Sequence, residues 1–218
     1  MYSGHVSPGG PPAVRELAEL IVNKVSVGGS GWDNNAYVLR CRDTGEELLI
    51  DAADEPERIL TTCGEGPLVR IVTTHRHRDH WRALAEVVER TEAITVAHAD
   101  DAPAISVPTA EEVRDGDRVR FGRIELEVIH LVGHTPGSIA LLYDDPTGSP
   151  HLWTGDSLFP GGVGKTTSPE NFASLIGDVE RKLFGRLPDE TWVYPGHGDD
   201  TTLGHERPHL AEWRSRGW

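Results

Sequence analysis

Apolar residues recur along the chain in short, often β-branched runs, separated by breaks rich in glycine, proline and acid. Residues 68–72 (Leu-Val-Arg-Ile-Val) read as a buried strand, and residues 81–88 place Leu84, Val87 and Val88 at helical spacing. Upstream, residues 14–27 carry Val14, Leu17, Leu20, Ile21 and Val25, a pattern that fits either a short helix or an edge strand, ended by Gly28-Gly29-Ser30-Gly31. Residues 36–41 and 47–51 predict a hairpin around Asp43-Thr44-Gly45. A helix is expected over 56–63 and a strand over 93–97. Residues 118–121 and 124–132 predict a second hairpin around Gly122, in which His130 shares a face with Ile124, Leu126 and Val128 and reads as a strand-end residue rather than a ligand. Further strands are expected at 138–143, 151–154 and 191–194. Residues 168–184 predict an amphipathic helix with Pro169 at an early position and Phe172, Leu175, Ile176, Val179 and Leu183 as its stripe. The succession implies an α/β protein of two mixed sheets packed face to face with helices outside. Residues 1–12, rich in glycine and proline, read as a flexible arm, and 13–218 as a single domain ending in a polar tail with Trp213 and Trp218.

Composition narrows the function classes. The net charge of −14 disfavours a nucleic-acid backbone as partner, and a metal site would neutralise part of that acidity. Two cysteines are too few for a disulfide framework, which suits a cytoplasmic location. No apolar run is long enough to span a membrane, and the N-terminal residues lack the pattern of a secretory signal.

The chemistry concentrates in Thr74-His75-Arg76-His77-Arg78-Asp79-His80, on the loop between a predicted strand and a predicted helix. Imidazole and carboxylate are natural ligands of zinc and other first-row divalent metals. In an extended loop His75 and His77 face one side, while Asp79 and His80, at the helix start, can face a second point nearby. The plain alternative is a polar turn with Asp79 as helix cap. Three more candidates follow apolar runs: His134 in Gly133-His134-Thr135-Pro136-Gly137-Ser138, Asp156 in Thr154-Gly155-Asp156-Ser157, and His197 in Tyr194-Pro195-Gly196-His197-Gly198. His98-Ala99-Asp100-Asp101 reads as a solvated helix start. Gly161-Gly162-Val163-Gly164-Lys165-Thr166-Thr167 imitates a phosphate-binding loop, but position 159 is Phe159 and Pro160 interrupts any strand leading in.

Taken together, the motifs His75-x-His77-x-Asp79-His80, 133–138, 154–159 and 194–198 resemble those of the metallo-β-lactamase superfamily, and more closely its glyoxalase II-like (hydroxyacylglutathione hydrolase-like) branch. The resemblance implies a four-layer αββα sandwich. It also implies a first metal held by His75, His77 and His134, a second by Asp79, His80 and His197, and Asp156 bridging them. The cofactors would be two divalent ions, most fittingly Zn2+, with iron or a mixed pair as options. Such a pair would generate a hydroxide nucleophile at neutral pH for hydrolysis of a small-molecule thioester or related ester, with Asp79 orienting it. Lys165 matches a position that helps bind an anionic substrate in that branch. Gly198-Asp199-Asp200, where the family often has an aromatic, leaves the thiol carrier open. Competing readings are a persulfide-dioxygenase-like enzyme with one iron on His75, His134 and Asp156, a lactonase or β-lactamase, and a metal-binding scaffold without activity.

Overall fold

The computed structural model describes residues 2–28 and 33–217. The first sheet takes seven strands in sequence order: β1 (Ala13–Glu16), β2 (Leu20–Val27), β3 (Asn34–Cys41), β4 (Glu47–Ile50), β5 (Leu68–Thr73), β6 (Ile94–His98) and β7 (Glu111–Val113). Strands β1 to β4 pair antiparallel, and β4 to β7 pair parallel. The change falls where helices α1 (Pro56–Thr62) and α2 (Leu84–Thr91) enter, because parallel neighbours need a crossover. The second half supplies β8 (Arg118–Phe121), β9 (Ile124–His130), β10 (Ile139–Tyr143), β11 (His151–Gly155), a small hairpin β12 (Leu158–Phe159) and β13 (Gly162–Val163), then β14 (Trp192–Pro195) and β15 (Thr201–Thr202). Its main sheet runs β15-β14-β11-β10-β9-β8. Helices α3 (Pro169–Asp178), α4 (Leu203–Glu206) and α5 (Leu210–Arg216) complete the chain.

The αββα layering follows from which residues each strand buries. Leu20, Val22, Leu39, Ile50 and Val72 of the first sheet meet Phe121, Leu126, Val128, Leu141 and Trp153 of the second. On the outer faces, Val38, Leu49 and Ile71 lie under Ile59, Leu84 and Val87, while Ile129, Ala140 and Leu152 lie under Leu175, Val179 and Leu183. Each such side chain contributes about 1.5–3 kcal/mol by leaving water.

Several elements differ from expectation for local reasons. Residues 14–27 form two strands turned by the Leu17 N–H donating to the Leu20 carbonyl at 2.8 Å. The helix expected at 81–88 starts only at Leu84: Trp81, at φ −147°, leaves helical geometry as it closes the Arg78–His80 turn, and the Arg82 and Ala83 N–H groups then donate to the Ala53 and Ala52 carbonyls. The helix at 168–184 forms with Ser168 as its cap, accepting from the Asn171 N–H, and its last six residues wind as a wider π-type turn. The polar tail folds into α4 and α5, burying Trp213 edge-on against Phe184 at 6.3 Å. Of the expected glycine break, 29–31 lie outside the described residues, as does Trp218. No helix among the described residues is long and apolar enough to cross a membrane.

One core position makes stability depend on acid. His151, buried at the start of β11, shares a 2.9 Å hydrogen bond with the Tyr194 hydroxyl. Burial, then the nearby Arg15 charge, pushes its imidazole down to about 4 from 6.5. As pH falls through 6.5 the unfolded chain takes up a proton that the folded one refuses until about 4, so stability is lost across that window. The full effect is roughly 3 kcal/mol. Urea midpoints of the wild type and His151→Gln, followed from pH 7 to 4, should converge or cross by that amount; a constant difference would refute the assignment.

Candidate metal centre

Four loops meet at one edge of the sandwich, each leaving the C-terminal end of a strand. Residues after β5 carry His75 and His77, then a single 3-10 turn (Arg78–His80) presents Asp79 and His80. The loop after β9 brings His134, the end of β11 brings Asp156, and the loop after β14 brings His197. All seven residues singled out from the sequence come together here.

The distances define two groups facing one carboxylate. His75 Nε2 lies 3.0 Å from His77 Nδ1 and 3.3 Å from His134 Nε2, so three ring nitrogens converge. On the other side, Asp79 Oδ2 lies 3.6 Å from His80 Nε2 and 3.5 Å from His197 Nε2. Asp156 stands between them: Oδ2 is 3.6 Å from His134 Nε2 and 3.5 Å from His197 Nε2, while Oδ1 is 3.3 Å from His80 Nε2. His80 Nε2 and Asp156 Oδ1 are fully buried without a hydrogen-bond partner among the described residues. Buried polar atoms normally find partners. A cation coordinated by both would satisfy them, and the nitrogen-and-carboxylate set suits zinc or iron.

The outward side of each imidazole is fixed. His80 Nδ1 donates to Asp51 Oδ2 at 2.7 Å, His134 Nδ1 to the Lys165 carbonyl at 2.7 Å, and His197 Nδ1 to the Asp33 carbonyl at 3.0 Å. Each bond sets the tautomer that leaves Nε2 facing inward. Asp51 also accepts from the Thr74 hydroxyl at 2.8 Å, and Thr74 Oγ1 is 3.1 Å from His75 Nδ1. Close packing demands glycine at two places. A side chain on Gly196 would strike Asp156 Oδ1 at 2.3 Å, and one on Gly155 (φ +48°) would strike Thr74 Oγ1 at 2.6 Å.

Electrostatics divide the same two groups. Burial, reinforced by His80, holds His75 well below its ordinary range, and burial also lowers His77 and His134. These three are neutral at pH 7 and offer lone pairs. Burial alone would lower His80 and His197 too, but carboxylates outweigh it. Asp156 and Asp51 carry His80 well above 6.5, and Asp156 with Asp79 carries His197 up to about 9. Burial opposes the charge on Asp156, yet His80 and His197 hold it well below the carboxylate range. The His197 hydrogen bond does the same for Asp79. A divalent cation would replace those protons as counter-charge to two carboxylates.

Some contributors escaped the sequence reading. Asp101, expected in a solvated helix start, is fully buried: Oδ2 accepts from the Arg76 N–H at 2.9 Å and the Thr135 hydroxyl at 2.5 Å, and Oδ1 from the Gly137 N–H at 2.9 Å. It thereby ties the His75 loop to the His134 loop. Asn34 donates to Asp79 Oδ2 at 3.1 Å. The one available signal was an acid directly after a strand, true of Asp51 and nearly so of Asp101. Lys165 contributes its carbonyl to His134, while its side chain is exposed. The phosphate-loop imitation is the β12–β13 hairpin and its exit, with α3 starting only at Pro169.

An αββα sandwich with a His/Asp cluster at the strand ends defines a class of proteins built to hold metal at one edge of two facing sheets. The model of the metallo-beta-lactamase superfamily matches residues 29–197, and the chain belongs to that family. A hydroxyacylglutathione hydrolase of Polaromonas sp. is 33% identical over 180 residues, covering 82% of this chain and 66% of that protein. The chain thus spans about two thirds of the length of that relative. Among solved structures, ETHE1 from Myxococcus xanthus is 30% identical with a TM-score of 0.76, over 88% of this chain and 84% of that one. TTHA1623, solved in a di-iron-bound form, is 34% identical with a TM-score of 0.69, over 84% of this chain and 96% of that one.

Proposed function

We propose that the protein is a dinuclear metal hydrolase of thioesters or related esters. The observation that carries this reading is Asp156, whose two oxygens face both histidine groups at 3.3–3.6 Å. In this reading His75, His77 and His134 hold one ion, Asp79, His80 and His197 hold the other, and Asp156 bridges them. The bound pair would lower the pKa of a shared water toward about 7 and polarise the substrate carbonyl.

The chain's own residues do the rest. Asp79, kept ionised and steadied by the Asn34 amide, accepts a hydrogen bond from the attacking water and aims it. Next to His197 an open pocket of about 450 Å³, lined by Phe159, Pro160, Gly198 and Asp199, receives the substrate. Phe159 offers an apolar wall there, its ring 6.3 Å from that of His197. A larger groove of about 790 Å³, walled by Arg118, Glu127 and Arg186, contains none of the seven cluster residues.

Lys165, exposed beside the His134 loop, supplies a positive charge to an anionic substrate. Its side chain lies in high dielectric, so Lys165→Ala should raise KM for anionic thioesters roughly 2- to 5-fold and leave neutral ones unchanged. An unchanged KM for every anionic substrate would remove Lys165 from the site.

The reading as a whole is tested by metal content of protein purified without added metal, followed by a thioester and lactone panel. Two ions per chain with thioester turnover is the expected result. The rival reading is a single iron on His75, His134 and Asp156, whose facing atoms lie 3.3–4.0 Å apart. One iron per chain with oxygen consumption on a persulfide would establish that rival and overturn the hydrolase.

A further inference from the structure

The inner face of β2 carries Leu20 and Val22, and the two-residue period puts Lys24 next on that face, where the pattern calls for another apolar residue. The Lys24 side chain has no solvent exposure. Its ammonium donates to three acceptors: the Gly4 carbonyl at 2.7 Å, the Gly198 carbonyl at 2.7 Å and Asp200 Oδ1 at 2.6 Å. Taking an ammonium out of water costs several kcal/mol unless every proton is partnered, and here all three are.

The acceptors belong to two segments distant in sequence, the N-terminal arm and the stretch that follows His197. Other bonds complete the joint. Asp200 Oδ2 accepts from the Tyr2 hydroxyl at 2.7 Å and the Trp192 indole at 2.9 Å, and the Asp200 N–H donates to the Gly4 carbonyl at 3.2 Å. Gly4, at φ +74°, lies so close that a Cβ there would sit 2.7 Å from Asp200 Cβ. Asn35 donates to the Pro195 carbonyl at 3.0 Å and the Gly198 carbonyl at 2.9 Å, and the Tyr37 hydroxyl to the Pro195 carbonyl at 2.6 Å. The backbone on both sides of His197 is therefore clamped, while its ring is held by the Asp33 carbonyl. The arm that the sequence presents as a loose lead-in forms the outer jaw of the clamp.

We propose that Lys24 is a positioning residue of the metal centre: with residues 2–5 of the arm it fixes the segment 195–200 and so aims His197 Nε2 at the second ion. The proposal rests on the dinuclear reading above. It predicts that loosening the clamp weakens one metal position and spares the other, since His75, His77 and His134 hang on different loops.

The experiment titrates zinc into the metal-stripped full chain against a chromophoric chelator, for the wild type, Lys24→Met and Gly4→Val. Lys24→Met should weaken the second zinc roughly 10- to 100-fold while the first stays within about 2-fold, the scale seen when groups that orient a ligand are removed. Gly4→Val, which pushes the arm off Asp200 and leaves the Lys24 side chain intact, should shift the second zinc in the same direction by less. Gly4→Val decides the question if Lys24→Met fails to fold. Wild-type affinity at both positions, or equal weakening of both, would overturn the positioning role. A wild-type chain that takes only one zinc would overturn the dinuclear reading, and this proposal with it.

Discussion

Asp156→Ala is expected to lower thioester turnover by on the order of 10³-fold or more and to leave neither metal position filled at wild-type affinity. Losing even a group that only orients a metal ligand costs about 10–100-fold in metal affinity or activity. Asp156 faces both histidine groups, so its loss reaches both ions rather than one contact. The consequence extends to His80 and His197, whose charged forms Asp156 sustains. Without it, His80 keeps Asp51 and His197 keeps Asp79 as counter-charge, and the pocket compensates a divalent cation less fully. Asp156→Asn makes the sharper comparison, because it keeps the volume while it removes the charge and turns one of the two facing oxygens into an amide NH2 that cannot bind a metal. Elemental analysis and kcat measured together check the claim. Full activity with two ions bound in either variant would show that Asp156 is not the bridge.

Stripping metal with a chelator is expected to abolish turnover and to lower the melting temperature, with both restored by added zinc. A ligand that binds only the folded state stabilises it by about 2.7 kcal/mol at one hundred times its Kd and about 4.1 kcal/mol at a thousand times. For a chain of this size each kcal/mol moves Tm by roughly 2–4 °C, so a fall of about 5–15 °C is anticipated. The sandwich itself should persist, because its three apolar layers are built from residues outside the cluster. Calorimetry before and after chelation tests this. An unchanged Tm together with unchanged activity would remove the metal from the reading altogether.

The strongest parts of the sequence reading were local. His75, His77, Asp79 and His80 lie on one short turn, where side-chain direction follows from spacing alone. The hairpins around Asp43–Gly45 and Gly122 were legible because turn residues sit between alternating runs. Where the reading slipped, a distant partner had intervened. Ahead of α2, the Arg82 and Ala83 N–H groups are held by the carbonyls of Ala53 and Ala52, groups with no signature at residues 81–83. Asp101 looked solvated because nothing in His98-Ala99-Asp100-Asp101 reveals that two other loops will close over it.

By itself, then, the sequence determined most of the strand and helix runs between residues 36 and 194, the two-sheet sandwich and the identity of the metal-binding candidates, since these depend on periodicity, turn chemistry and residue type. Tertiary structure alone decided which ring nitrogen of His80, His134 and His197 faces inward, which histidines are neutral and which are held charged, and that Lys24 joins the N-terminal arm to the His197 segment. Those properties arise from burial and from hydrogen bonds between residues far apart in the chain, and neither exists before the two sheets close on each other.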